Sequence, residues 1–307
     1  MFAKISYYIF VVPFSHLPLP VMYIFTDFLY LLLISFVPYR KDVIEANIAR
    51  SFPNKSLKER KAIKRKFYRH FTDMLAEGIK SLTISKKELQ KRLTVKNPEI
   101  MQDLYASGKN VLLVSGHYNN WEWLVTGQGL LFEHKAVGIG MPLSSTFWDD
   151  KINDRRSRYG MKVVHAKNYA SELDKMPNEK IAILVLSDQA PGNSLKSYWM
   201  DFLNQNTAVR FGAELMANQL DYAVVFFATR KIKRGYYQME LSSITDNPKD
   251  MKWGEITEAH THLLENEIKS APQYWLWSHK RWKREVPDDL ENLKKQQRES
   301  FNSKFGK

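Results

Sequence analysis

Two runs in this chain, Ile181–Leu186 (IAILVL) and Tyr222–Thr229 (YAVVFFAT), are apolar almost from end to end. A strand with one wet face alternates apolar and polar residues. A strand without that alternation must be covered on both faces, the usual condition of strands in a parallel sheet layered by helices. Val111–Ser115, Ala136–Ile139, Met161–Val164 and Tyr236–Leu241 also read as strands, with helical stretches between them. This alternation predicts an α/β fold with a mainly parallel central sheet flanked by helices. The chain has 307 residues, enough for one large α/β domain or two ordinary ones. Charged residues at 26% and hydrophobic residues at 44% exclude wholesale disorder.

Before the sheet, Ser56-Leu-Lys-Glu59 forms a capping box that starts a helix. Ile63, Phe67, Phe71, Met74/Leu75 and Ile79 then recur at helical spacing. Lys58, Arg60, Lys61, Lys64, Arg65 and Arg69 take the rest of that surface. They form either a solvated basic face or a face that docks on lipid or protein. The last amphipathic helix is expected near 255–269, and the polar stretch after Pro287 as a solvated helix or a frayed end.

Charge is distributed unevenly. The net charge is +13, which favours an anionic partner. Residues 1–39 contain only Lys4 and Asp27 as charged side chains, whereas residues 55–92 carry thirteen Lys/Arg against four acids. An apolar segment followed by a basic one fits an anionic membrane surface better than a DNA groove. Val21 to Val37 is an apolar run ending at Pro38-Tyr39-Arg40-Lys41. A bilayer crossing takes about 20 apolar residues, and a central Asp costs on the order of 3 kcal/mol. With Asp27 inside it, the run is expected to be a membrane-anchoring helix, spanning or interfacial, with a buried helix as the alternative. No A-x-A-like cleavage site accompanies it.

Several chemistries drop out. The chain has no cysteine, so thiolate metal sites, Fe–S clusters and a cysteine nucleophile are excluded. No G-x-S-x-G, phosphate-binding G-x-x-x-x-G-K-[ST], G-x-G-x-x-G or H-E-x-x-H occurs. His260 and His262 are two apart and cannot share a helix face, so no metal is expected.

What remains is Val111-Leu-Leu-Val-Ser-Gly-His117-Tyr-Asn-Asn-Trp-Glu122. A buried strand ends at Ser115-Gly116 and a histidine follows at once. Ligands bind beyond strand ends in open α/β sheets, and a histidine there titrates near neutral pH. Glu122 is a candidate to accept a hydrogen bond from one imidazole nitrogen, leaving the other as a general base. On a regular helix, five residues turn through about 140°, so the pair meets only if the turn brings His117 back. A loop histidine beside a surface glutamate is the alternative.

His117 and Glu122 also match the H-x4-[DE] motif of the glycerophospholipid-type acyltransferases. Over nearly its whole length the chain resembles the bacterial late acyltransferases of lipid A biosynthesis (lauroyl/myristoyl transferases). Pro38-Tyr39-Arg40 with Asn47-Ile-Ala-Arg-Ser51-Phe52-Pro53 looks like that family's N-terminal block. Arg156-Ser-Arg158-Tyr-Gly160 looks like its R-x-R-[FY]-G block, and Ser187-Asp188-Gln189-Ala-Pro-Gly192 like its D-Q-x-x-G segment. Asp201-Phe202, then Thr207, parallels D-F-F-G…T, with Leu203-Asn204 in place of Phe-Gly. Gln273-Tyr-Trp275-Leu-Trp277-Ser-His279-Lys-Arg281-Trp282-Lys283 resembles the C-terminal aromatic-basic block.

The resemblance implies a glycerophospholipid acyltransferase-like fold and transfer of a fatty acyl chain from acyl carrier protein to a hydroxyl of a lipid A precursor. It implies no cofactor beyond the co-substrate, acyl-acyl carrier protein or acyl-CoA. His117 would be the general base and Glu122 its orienting partner. Arg156 and Arg158 would hold a phosphate, with Asp188 and Gln189 as further substrate-binding residues or Asp188 as a loop-closing one. Trp275, Trp277 and Trp282 are candidates for the membrane interface or for the core. The implied organisation is an anchor at 1–40, a basic helical segment at 41–100, a catalytic α/β domain at 101–287 and a polar tail at 288–307. The implied location is the cytoplasmic face of the inner membrane, with carrier protein, acceptor lipid and anionic membrane as partners and no nucleic acid. Other acceptors (lysophospholipid, aminolipid or pigment) and a non-enzymatic lipid-binding module stay open.

Overall fold

A computed structural model describes residues 2–37 and 39–307. Its centre is a seven-stranded sheet in the order β1-β9-β8-β2-β5-β3-β4. The strands are β1 Leu93–Val95, β2 Val111–Ser115, β3 Lys135–Gly140, β4 Lys162–His165, β5 Ile181–Leu186, β8 Ala223–Lys233 and β9 Tyr236–Thr245. β8, β2, β5, β3 and β4 run parallel, while β9 returns antiparallel to β8 and carries β1 at the edge. The expected α/β architecture is therefore present, and each strand read from the sequence has its counterpart. A separate hairpin, β6 Tyr198–Phe202 with β7 Gln205–Val209, was not anticipated. Its two-residue turn places Leu203 at φ 51° and Asn204 at φ 61°. Asparagine tolerates that left-handed region, which is why it can stand where the related block has glycine.

The apolar runs behave as their composition requires. Leu112, Val114, Ile183, Val224 and Phe226 face one core, and Val111, Leu113, Ala182, Val225 and Phe227 face the other. The helices Lys41–Ser51 and Leu57–Lys80 send Ile44, Ile48 and Phe67 into the first core. The Ser56–Glu59 capping box forms with both of its reciprocal bonds. The polar C-terminal stretch contains a helix, Leu290–Phe305, fixed by the buried Phe301.

The membrane-spanning expectation is corrected. The apolar run forms a 17-residue helix, Leu19–Ser35, and no helix among the described residues is long and apolar enough to cross a membrane. At 1.5 Å per residue it spans about 25 Å, against about 30 Å of hydrocarbon. One face is also occupied: Met22, Tyr23 and Thr26 are buried, and Asp27 pairs with Arg69 and Arg234. The opposite face leaves Ile24, Phe25, Phe28 and Leu31 exposed. Pro38, the start of the basic stop, lies outside the described residues.

Candidate active site

Strand register builds this site. Ser115 at the end of β2 pairs with Leu186 at the end of β5, and Ser187 donates its N–H to the Ser115 carbonyl. The chain beyond each strand therefore leaves the sheet side by side. His117 stands beyond β2 and Asp188 beyond β5. Gly116 makes their approach possible, because a Cβ there would lie 2.6 Å from Leu264 Cδ2 and 2.9 Å from the Asp188 carboxylate.

Asp188 holds His117 at two points. Its Oδ1 lies 2.6 Å from the imidazole Nδ1, and its Oδ2 accepts the His117 backbone N–H at 2.8 Å. Oδ2 also accepts the Trp275 indole N–H at 2.8 Å. An ionised Asp188 accepts a hydrogen bond from Nδ1–H, which fixes the tautomer with Nε2 as the free acceptor. Burial alone would raise the pKa of Asp188. The neighbouring His117 and the donated hydrogen bonds overcome this and bring it down to about 2. Nε2 faces the Gln189 side-chain amide nitrogen at 3.2 Å, and Trp121 stands edge-on to the ring at 5.0 Å.

Glu122 is not the imidazole's hydrogen-bond partner, contrary to the expectation. After His117 the backbone turns through Asn119 at φ 53°, and Asn120 caps the helix Trp121–Leu131 by accepting the Trp123 N–H. This turn aims Glu122 at the helix Thr146–Ser157, where it pairs with Arg155 and, at 2.6 Å, with Arg156. Burial works against the charge of Glu122, but the two guanidiniums, with a smaller contribution from His117, bring its pKa to about 2. The two arginines of the predicted phosphate pair separate. Arg156 belongs to this cluster, while Arg158 donates to the Ser81 carbonyl at 2.6 Å and lies over Tyr159.

The sequence blocks that stood far apart now interlock. Asn47 donates to the carbonyls of Trp277 and His279, both at 2.9 Å. His279 accepts the Ala190 N–H at 3.1 Å, and Arg284 donates to the Pro191 carbonyl at 2.8 Å. Arg281 reaches the Ala208 carbonyl, and the Trp282 indole donates to Thr207. Trp275 and Trp277 are buried core residues, with Trp275 the direct support of Asp188.

Residues 2–284 match the model of the bacterial lipid A biosynthesis acyltransferase family. The chain belongs to that family. It is also 25% identical over 282 residues to a lipid A biosynthesis acyltransferase of Haemophilus influenzae (strain ATCC 51907 / DSM 11121 / KW20 / Rd), covering 81% of this chain and 83% of that one.

Two residues of the site escaped the sequence reading. Glu77, fully buried, accepts from Tyr23 at 2.7 Å, Tyr237 at 2.7 Å and Asn120 at 2.6 Å, which fixes the turn after His117. Its charged neighbours in sequence hid it within a basic amphipathic helix. Arg155, directly before the Arg156–Gly160 block, completes the Glu122 pairing.

Proposed function

We propose that the chain transfers a fatty acyl group from a thioester, carried by acyl carrier protein, to a hydroxyl of a lipid A precursor. The observation that carries the reading is the Asp188–His117 pair at the carboxyl edge of two central parallel strands in a member of this family. A thioester is already activated, so no covalent enzyme intermediate is required. The difficulty is the acceptor alcohol, whose proton must leave as its oxygen attacks.

His117 Nε2 takes that proton while the alcohol oxygen bonds to the thioester carbonyl carbon. The tetrahedral intermediate then collapses, the C–S bond breaks, and the imidazolium returns its proton to the departing thiolate. Asp188 holds the ring in the required tautomer and stabilises the imidazolium. General base catalysis contributes about 10²–10⁴ in rate, and the remainder comes from positioning and electrostatics. Gln189 occupies the Nε2 side of the ring and yields to, or orients, the acceptor hydroxyl. Glu122 holds Arg155 and Arg156 in place, and Arg156 is the residue of that cluster assigned to a substrate phosphate.

The exposed face of Leu19–Ser35 rests in the membrane interface as a surface-lying helix, with the catalytic body on the cytoplasmic side of the inner membrane. Acylation of another lipid is the alternative within the same chemistry.

A turnover assay tests the reading. Purified protein in detergent receives labelled acyl-acyl carrier protein and a host lipid extract, with His117→Ala as the control and mass spectrometry as the readout. A lipid A precursor heavier by one acyl chain with wild type alone supports the proposal. Acylation of a different lipid overturns the acceptor, and equal activity of the variant overturns the base.

A further inference from the structure

A cavity of about 620 Å³ opens beside Lys231 of β8, lined among others by Arg65, Lys66, Arg69, His70 and Tyr274. It is separate from the His117 site but adjoins its loop, because the Tyr274 carbonyl accepts the Asn119 N–H at 2.9 Å. Two of its cations are already balanced: Arg69 by Asp27 at 3.1 Å and Lys231 by Asp73 at 3.1 Å. Arg65 and Lys66 are exposed, with no acidic partner among the described residues.

The second observation is His70. Its side chain is 97% removed from solvent, it lines the cavity, and neither ring nitrogen has a hydrogen-bond partner. Tyr274 touches it only edge-on, at 4.8 Å. Burial holds it neutral, with Lys231 adding to the effect. A neutral imidazole carries one N–H donor, and leaving that donor buried and unpaired is unfavourable. An oxyanion entering between Arg65, Lys66 and His70 would satisfy all three groups. Tyr30 also lines this cavity, and it belongs to Leu19–Ser35, the helix whose outer face leaves Ile24, Phe25, Phe28 and Leu31 exposed.

We propose that this cavity is an anion site that takes the phosphate of an anionic lipid headgroup, with the lipid's chains lying along the exposed face of Leu19–Ser35. The site is separate from His117 and takes such a headgroup whichever lipid is acylated there. The recess admits a headgroup, and the exposed apolar residues on the helix that supplies Tyr30 favour a lipid over a free anion.

The test is calorimetric binding to the full-length protein of dihexanoyl-phosphatidic acid below its micelle concentration, with dihexanoyl-phosphatidylcholine and inorganic phosphate as comparison probes. The phosphatidic acid should bind more tightly than either. Arg65→Gln and Lys66→Gln should each weaken it by about tenfold, the size of one charge-assisted hydrogen bond. These exposed positions keep the test independent of whether His70→Phe folds. Undetectable phosphatidic acid binding, or binding indifferent to both substitutions, overturns the site. Inorganic phosphate bound as tightly overturns the lipid assignment.

Discussion

Asp188 grips His117 by both side chain and backbone, one carboxylate oxygen on Nδ1 at 2.6 Å and the other on the peptide N–H at 2.8 Å. A ring held only through Nδ1 could still swing about its own side-chain bonds. Fixing the peptide as well sets where the side chain starts, so Nε2 points in one direction. Asp188 is buried to 7% exposure and both of its oxygens are occupied. In the proposed mechanism it acts through His117, as a positioning residue.

Trp275→Phe removes one donor from Asp188 and keeps an aromatic ring in the core. The expected cost is about 1 kcal/mol of stability, the net worth of a hydrogen bond, and a several-fold fall in kcat with KM little changed. Steady-state kinetics beside a urea titration separates the two effects. A change in KM alone would assign the indole to substrate contact.

Gly116→Ala places a methyl group where Leu264 and the Asp188 carboxylate already stand. Overpacking of this kind costs about 1–3 kcal/mol. Because Asp188 is one of the groups displaced, kcat should fall further than after Trp275→Phe. Unchanged turnover would show that the carboxylate retains its hold when the strands are forced apart.

Glu122→Gln leaves Arg155 and Arg156 without their counter-charge in a largely buried cluster. Breaking such a pair from one side destabilises, here by about 1–3 kcal/mol given the partial exposure. Denaturant unfolding of the variant should show that loss, with activity reduced through misplacement of the arginines. Full stability would mean that the cluster is only loosely held.

The acid limb of stability follows from the same carboxylates. Asp188 falls from its ordinary 3.8 to about 2 in the fold, and Glu122 from 4.5 to about 2. A depressed value means that the folded state favours the charged form. The stabilisation is therefore complete above the ordinary values and disappears as pH falls from about 4.5 toward 2. Each group is worth on the order of 2–3 kcal/mol at most. Unfolding free energy measured from pH 6 to pH 2.5 should decline through this window, less steeply in Glu122→Gln. An identical slope in the variant would remove Glu122 from the account.

The sheet was legible because covered parallel strands leave uninterrupted apolar runs, as in IAILVL of β5. The hairpin was not, since Tyr198–Phe202 and Gln205–Val209 are short, mixed in polarity and turned by Leu203-Asn204, a turn whose left-handed residues carry no glycine. His117 was legible from its place after a strand end. Its partner was not, because Asp188 is 71 residues away and meets it only through the Ser115–Leu186 register. The H-x4-[DE] match favoured Glu122, but Asn119 in the left-handed region and the Asn120 cap rotate that carboxylate toward Arg155 and Arg156. The run at 21–37 left an anchor and a buried helix open, because local sequence does not register that Asp27 would find Arg69 and Arg234.

The most direct test of the account is a double-mutant cycle on kcat for acyl transfer, using His117→Ala, Asp188→Asn and the pair together. If Asp188 acts only by orienting and stabilising the His117 ring, Asp188→Asn alone lowers kcat by about 10²–10⁴-fold. It then has no further effect once His117 is gone. Two losses that multiply in the double variant would contradict the account.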